Sequence, residues 1–327
     1  MIRKLLFFIL YNAGLPALMR RKMVNDKAIA VLLFHRISNS TDLLWPAMPI
    51  KSFEKLLLKI KAKSEIISFS DLTSIKSYPS KPLIILSFDD GYIDFHEHAM
   101  PILISLNMKA NHNICPGLID LKTIPWTQVL SLYLSYKTSE NKPFNQLMSI
   151  EKQDVYNEKK FIALCMVLLR YNDNERNKLI SPLLNHIPKE KIYQLMNWDQ
   201  IRFCFANQIE IGSHGYLHRN LLQVWDTKEL ENEINDSSNK IEIEIGQKPK
   251  VFAFANAMGN EESKKFVLQS GYQFTLILMD KLLKWKPLLP HEKIQVPRIN
   301  ISRSDWREEY LRSLGFHAYI KQFLKFI

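Results

Sequence analysis

Strand-like apolar runs recur along this chain from residue 29 onward: Ile29–Phe34, Leu83–Phe88, Ala110–Ile114, Ile209–Ser213, Val251–Ala255, Phe274–Leu278 and Ile294–Val296. Between them lie stretches with helical periodicity, Phe53–Lys61, Phe95–Leu106, Lys228–Ile245 and Glu261–Gln269. Phe53, Leu56, Leu57 and Ile60 show the i, i+3, i+4, i+7 spacing of one buried helix face. Alternation of this kind builds a parallel sheet with right-handed crossovers. About seven such units suit an α/β fold that closes, or nearly closes, into a barrel.

One segment breaks the alternation. From about Pro125 to Trp198 there is no convincing strand, and the stretch reads as several helices rich in Lys, Glu and Asn. It is too long for a loop and carries its own apolar residues, so it is expected to fold as a helical cap inserted at about 125–198. The whole chain is 327 residues long and 46% apolar, enough to bury a sizeable core without a staple. Cys115, Cys165 and Cys204 lie far apart with no CxxC spacing, which argues against a disulfide framework and a zinc knuckle.

The charge balance is +11, from 44 Lys and Arg against 33 Asp and Glu. Such an excess favours anionic partners, but no nucleic-acid-binding signature accompanies it, and no nucleic acid is expected. Residues 1–22 hold Arg3, Lys4, Arg20, Arg21 and Lys22 and no acid. The apolar stretch between them, Leu5 to Met19, is interrupted by Asn12, Gly14 and Pro16, and is too short and too broken for a transmembrane helix. It ends in Met-Arg-Arg-Lys, with no small-residue cleavage site. Two readings stand: an amphipathic segment (1–28) lying on an anionic membrane surface, or a helix packed on the domain's own core. The first implies a cytoplasmic chain, peripheral on the inner face of the membrane. Residues 301–327 read as a helical tail of similar character.

Chemistry concentrates where strands end. Leu83–Phe88 runs into Asp89-Asp90-Gly91-Tyr92, and two adjacent carboxylates after an apolar strand are costly unless charge compensates them. Ile209–Ser213 runs into His214-Gly-Tyr-Leu-His218. Histidines four apart can chelate a metal from one helical turn, although HxxxH alone is more often ordinary. Both elements follow parallel strands, whose carboxyl ends carry the active sites of barrel enzymes. Two His and one Asp make a three-ligand site with an open position, and the adjacent Asp is then free to act as a base.

Ser87-Phe-Asp-Asp-Gly-Tyr92 and His214-Gly-Tyr-Leu-His218 resemble the first two motifs of the polysaccharide deacetylases, the NodB-homology family or carbohydrate esterase family four. Phe252-Ala-Phe-Ala-Asn-Ala257 is similar to a third. Val31-Leu-Leu-Phe-His35-Arg-Ile37 and Pro297-Arg-Ile299 resemble the opening and closing elements of a bacterial subgroup. The resemblance covers roughly residues 29 to 300.

It implies a distorted (β/α)7 barrel and metal-dependent removal of an acyl group from a sugar. Asp89 would be the base, and Asp90, His214 and His218 the ligands of a divalent metal, usually Zn2+. The backbone at Ala255 and Asn256 would form part of an oxyanion hole, with Tyr92 at the substrate site. The Leu-x-His acid of many members has no counterpart here, and His35 matches the acid of the permuted subgroup. Ala255 and Ala257 replace the family's proline and glycine. The usual upstream arginine is missing, and Arg298 could take over by pairing with Asp89. The expected substrate is an N-acylated amino sugar of a bacterial glycan or glycan precursor. Deformylation of a lipid-linked amino sugar and an inactive glycan-binding accessory role are the alternatives.

Overall fold

Every residue of Ala28–Phe34 is apolar and every one is buried, so this strand must be covered on both faces. The computed structural model describes residues 2–40, 44–136, 144, 157–222, 226–257, 259–302 and 305–323. Its strands are β1 (Ala28–Phe34), β2 (Glu65–Ile66), β3 (Leu83–Phe88), β4 (Ala110–Ile114), β5 (Ile209–Ser213), β6 (Val251–Ala253), β7 (Phe274–Leu278), β8 (Leu283–Lys284) and β9 (Ile294–Asn300). The helices are α1 (Ile2–Asn12), α2 (Leu15–Asn25), α3 (Ile50–Lys63), α4 (Met100–Ser105), α5 (Pro116–Asp120), α6 (Trp126–Tyr136), α7 (Glu158–Leu168), α8 (Asp173–Ile180), α9 (Trp198–Ala206), α10 (Thr227–Ile245), α11 (Glu261–Gln269), α12 (Trp306–Ser313) and α13 (Phe316–Phe323).

The sheet closes. Parallel pairing runs β1–β3–β4–β5–β6–β7–β9 and back to β1, giving a seven-stranded parallel barrel ringed by helices. The closed barrel of about seven units expected from the alternation, and the (β/α)7 architecture that the resemblance implies, are therefore observed. β2 adds in parallel beside the start of β3, and β8 adds antiparallel to the start of β1.

Residues alternate between the two sides of the wall. Ile29, Val31, Leu83, Ile85, Val251, Ala253, Leu276 and Val296 share one cluster with Phe69, Leu72 and Trp285. Ala30, Leu32, Phe34, Ile84, Leu86 and Phe88 join the other, against α3 and its Phe53, Leu56, Leu57 and Ile60. An aromatic group fixes the strand ends there: Phe34 stacks on Phe88 at 4.9 Å, and Phe88 meets Phe95 at 4.7 Å. The residues that follow, His35 and Asp89, are thereby set side by side, with the Asp89 N–H donating to the Phe34 carbonyl at 3.0 Å.

The segment from Trp126 onward has its own core, formed by Val129, Leu130, Leu132, Phe161, Leu168 and Leu183 and joined by Leu44. Its helix α8 starts on a capping box, Asn172 with Glu175. Residues 137–143 and 145–156 of the insertion lie outside the described residues. The returning chain runs antiparallel along the turn after β3: Ile93 N–H donates to Gln194 and Met196 N–H to Gly91. Trp126 is buried under the Arg176 guanidinium, and Trp198 donates its indole N–H to Asp120 at 2.8 Å, so both tryptophans anchor the cap.

Three details of the sequence reading change. The apolar N-terminal stretch is two helices bent by 68°, because Gly14 takes a left-handed conformation (φ 86°) and Pro16 follows in the first turn of α2. β9 runs to Asn300, so Arg298 lies inside it rather than at its end. β6 stops at Ala253, since Asn256 has φ 54° and the backbone turns there. Residues 324–327 of the C-terminal tail are outside the described set.

Candidate active site

β4 has the sequence Ala-Asn-His-Asn-Ile, and all five residues are buried. In a closed barrel, polar residues with period two on one strand put a polar column on one side of the wall. Ser87 Oγ donates to Asn111 Oδ1 at 2.9 Å, Asn113 Nδ2 donates to Ser87 Oγ at 3.2 Å, and the same Nδ2 group donates to Asp89 Oδ1 at 2.8 Å. Arg298, itself buried, completes the column by donating from Nη1 to Asp89 Oδ1 at 2.7 Å. Gly212 makes room for it, because a Cβ there would sit 2.1 Å from Asn113 Oδ1.

Asp89 is buried, and burial alone would raise its pKa. The Arg298 guanidinium and the nearby His214 reverse this and hold the carboxyl well below the ordinary carboxylate range. It is therefore ionised at neutral pH. Its second oxygen, Oδ2, lies 3.8 Å from His214 Nε2.

Asp90 turns the other way. Its backbone is left-handed (φ 76°), with Gly91 at φ 84° after it, and this swings the carboxylate toward the end of β5. Asp90 Oδ1 lies 3.3 Å from His214 Nε2 and 3.3 Å from His218 Nε2. The turn is braced from outside the barrel: Gly91 N–H donates to His112 Nε2 at 3.2 Å, so His112 must be neutral there. Burial pushes the His112 pKa down to about 4, in keeping with that acceptor role.

The two histidines do not come from a helical turn, as the HxxxH spacing had suggested. They sit in the loop after β5, with Gly215 at φ 82° and His218 at φ 58°. Glu233 of α10 holds that loop together. Its buried carboxylate accepts the N–H groups of Leu217 and Arg219 at 2.9–3.1 Å, and its Oε1 is so close to Gly215 that a Cβ there would lie 2.2 Å away. His214 Nδ1 pairs with the Ala253 carbonyl at 2.8 Å. A carbonyl only accepts, so Nδ1 carries a proton, which leaves Nε2 as the ring atom turned toward Asp90 and able to ligate a metal.

Three lone-pair atoms thus converge: Asp90 Oδ1, His214 Nε2 and His218 Nε2, all buried and within 4.8 Å of one another. A carboxylate oxygen and two imidazole nitrogens brought this close together are a set that would accommodate a cation. Two imidazoles and a carboxylate suit a borderline divalent metal with an open coordination position.

His35 is half-buried and electrostatically coupled to Asp89, Asp90, Arg298 and His214. Burial lowers its pKa, and the two carboxylates only partly offset that. Its ring lies edge-on to Trp45 at 5.5 Å, and Trp45 meets Phe161 of the cap at 6.4 Å. Ala255 and Asn256 follow directly on the strand whose Ala253 carbonyl orients His214, and the Asn256 Nδ2 group is buried with no hydrogen-bond partner among the described residues. The Tyr92 side chain is buried beside Arg36 rather than on an open surface, and Cys115 is a buried thiol against the His214 carbonyl.

Sequence reasoning missed Asn113, Glu233 and the buried Arg36–Asp94 pair, whose Nε–Oδ2 distance is 2.8 Å. For Asn113 the signal was present, in the alternating asparagines of an otherwise strand-like run. Arg36 also lies over the Tyr193 ring at 3.4 Å and so ties the end of β1 to the cap.

Comparison with known proteins first defines the class of fold. The Streptococcus pyogenes deacetylase PplD, solved in complex with acetate, superposes with a TM-score of 0.59 at 15% identity, over 88% of this chain and 98% of that one. IcaB from Ammonifex degensii gives 0.54 at 13% identity over 88% and 97%, and the Bacillus anthracis polysaccharide deacetylase BA0330 gives 0.56 at 13% over 88% and 69%. No curated protein sequence matches the chain. The polysaccharide deacetylase family model matches residues 154–275, a segment that holds both histidines and Phe252–Ala257 but not Asp89 or Asp90. Over that segment, less than half of the chain, the sequence is similar to the polysaccharide deacetylase family, and the superposed deacetylase structures share its fold.

Proposed function

We propose that the protein is a metal-dependent hydrolase that removes an N-acetyl group from an amino sugar of a bacterial glycan or glycan precursor. The observation that carries this reading is the arrangement at the barrel mouth. An ionised carboxylate, Asp89, is pinned by Arg298 beside a separate three-donor cluster, Asp90, His214 and His218. Acetate in the neighbouring PplD structure supports acetyl as the acyl group.

Asp90, His214 and His218 would hold the metal, and Zn2+ suits that donor set. A divalent ion bound there polarises an acyl carbonyl and makes water acidic near neutral pH. Asp89 Oδ2, the oxygen not taken up by Arg298 and Asn113, accepts the proton of the attacking water. Arg298 and Asn113 keep that carboxylate charged and fix its orientation. His35, beside Asp89 at the end of β1, is the acid that gives a proton to the departing sugar nitrogen. Backbone N–H groups at Ala255 and Asn256 face the charge that develops on the carbonyl oxygen. The intact Asp89–Arg298 pair and donor cluster argue against an inactive accessory role.

Acetate release from N-acetylated amino-sugar oligomers tests the reading. The zinc-loaded wild type is expected to release acetate, and Asp89→Asn to release at least 100-fold less. Equal release by both proteins would overturn the assignment of Asp89.

A further inference from the structure

We propose that α1 and α2 form a two-faced platform whose outer face docks on the surface of an anionic lipid bilayer. The inner face is already occupied. Phe7, Met19 and Met23 are buried in the main core, Phe7 lies edge-on to Phe316 at 6.0 Å, and Tyr11 lies edge-on to Trp306 at 5.2 Å. Arg3 Nε donates to Glu308 at 2.9 Å, and Arg20 donates to the Tyr310 hydroxyl at 3.1 Å. The helix pair is therefore fastened to α12 and α13 as part of the domain.

The outer face is more open, although the Arg307 guanidinium lies over the Phe8 ring at 5.3 Å. Ile2, Leu5, Leu6, Phe8 and Ile9 of α1 and Leu18 of α2 are between 48% and 83% exposed, and Ile320 of α13 is also exposed. Six large apolar side chains on two adjoining helices form a patch that water penalises. Cations accompany it: Lys4 and Arg21 are exposed, Lys22 pairs with Asp26 and lies over the Tyr319 ring, and no acid occurs before Asp26.

Charge decides the occupant. Two copies of this chain meeting through the patch would bring their own cations together, whereas an anionic headgroup layer complements them while the apolar side chains sink to the acyl boundary. The bend decides the depth. Each helix has 11 residues and is about 16 Å long, against a hydrocarbon core of about 30 Å, so neither spans it alone, and the two are bent by 68° at Gly14. Of the two alternatives left open by the sequence, the inner face shows the packed helix, and the proposal assigns the membrane surface to the outer one. This inference stands apart from the reaction, since the platform contains no site residue.

Sedimentation of the full chain with vesicles provides the test. Wild type is expected to bind vesicles of mixed phosphatidylglycerol and phosphatidylcholine, to bind pure phosphatidylcholine at least tenfold more weakly, and to be released by 1 M salt. The triple variant Leu5→Ser, Leu6→Ser, Ile9→Ser should bind at least tenfold more weakly than wild type, and Lys4→Glu with Arg21→Glu should do the same, both with unchanged thermal unfolding and unchanged activity on a soluble substrate. Wild type that ignores anionic vesicles, or variants that bind equally well, would overturn the proposal. So would a stable dimer that dissociates in the triple variant, or protein that only detergent extracts. None of these four results would affect the catalytic reading, which the soluble-substrate assay follows separately.

Discussion

Arg298 and Asp89 are 209 residues apart in sequence and 2.7 Å apart in space, both buried, in an ion pair that links the last strand of the barrel to the turn carrying Asp89 and Asp90. Removing one partner leaves the other charge buried and alone. Arg298→Met is expected to cost about 3–5 kcal/mol in urea unfolding. It should also shift the acid limb of the kcat/KM profile to higher pH, since the guanidinium is what holds Asp89 low. Arg298→Lys should restore part of both. A profile unchanged in Arg298→Met would remove Arg298 from the account of Asp89.

Asp89 has a folded pKa below its unfolded one, so its contribution to stability is full above the unfolded value and is lost as pH falls through the folded value. Asp89→Asn should therefore flatten the acid side of the stability curve, below about pH 4. It should keep the metal, because the three donors are elsewhere. Loss of metal together with activity in this variant would mean that Asp89 is itself a ligand.

His112 has the opposite proton balance. Its folded pKa of about 4 lies below the ordinary 6.5, so the unfolded chain binds the extra proton between those values and stability falls as pH drops from 6.5 toward 4. Between pH 7 and pH 5 the wild type should lose about 2 kcal/mol more than His112→Gln, which can still accept from Gly91 but does not titrate. Equal losses in urea unfolding at the two pH values would show that His112 is protonated in the folded protein.

Glu233 shapes the loop that presents His218 without touching any of the three donors. Glu233→Ala leaves the Leu217 and Arg219 N–H groups without their acceptor. Metal affinity, read by competition with a chromophoric chelator, should fall by about 10–100-fold, and Glu233→Gln should recover part of it. Unchanged affinity with lower melting temperature would make Glu233 a purely structural residue.

The barrel was legible in the sequence because its signals are local. β3, β4, β5 and β7 have the bounds of the strand-like runs in the sequence, and a strand buried on both faces, such as β1, reads as a continuous apolar stretch. The metal donors were legible because Asp90, His214 and His218 sit within short spacings at strand ends. What was not legible depends on closure of the sheet. Glu233 looks like one more acid on an amphipathic helix until α10 packs against β5 and turns it onto the Gly215 loop. Asn113 acquires meaning only when β3 and β4 pair and bring its amide to Asp89. The loop conformation of His214 and His218 was misread for the same reason, since the spacing alone cannot distinguish a helical turn from a left-handed loop.

Metal content of the purified chain tests the central claim most directly, that Asp90, His214 and His218 form one divalent-metal site. After incubation with zinc and removal of excess, mass spectrometric elemental analysis should find about one ion per wild-type chain and close to none in the His214→Ala, His218→Ala double variant. A wild-type protein that retains no zinc, cobalt, nickel or manganese, or a double variant that retains as much as wild type, would contradict it.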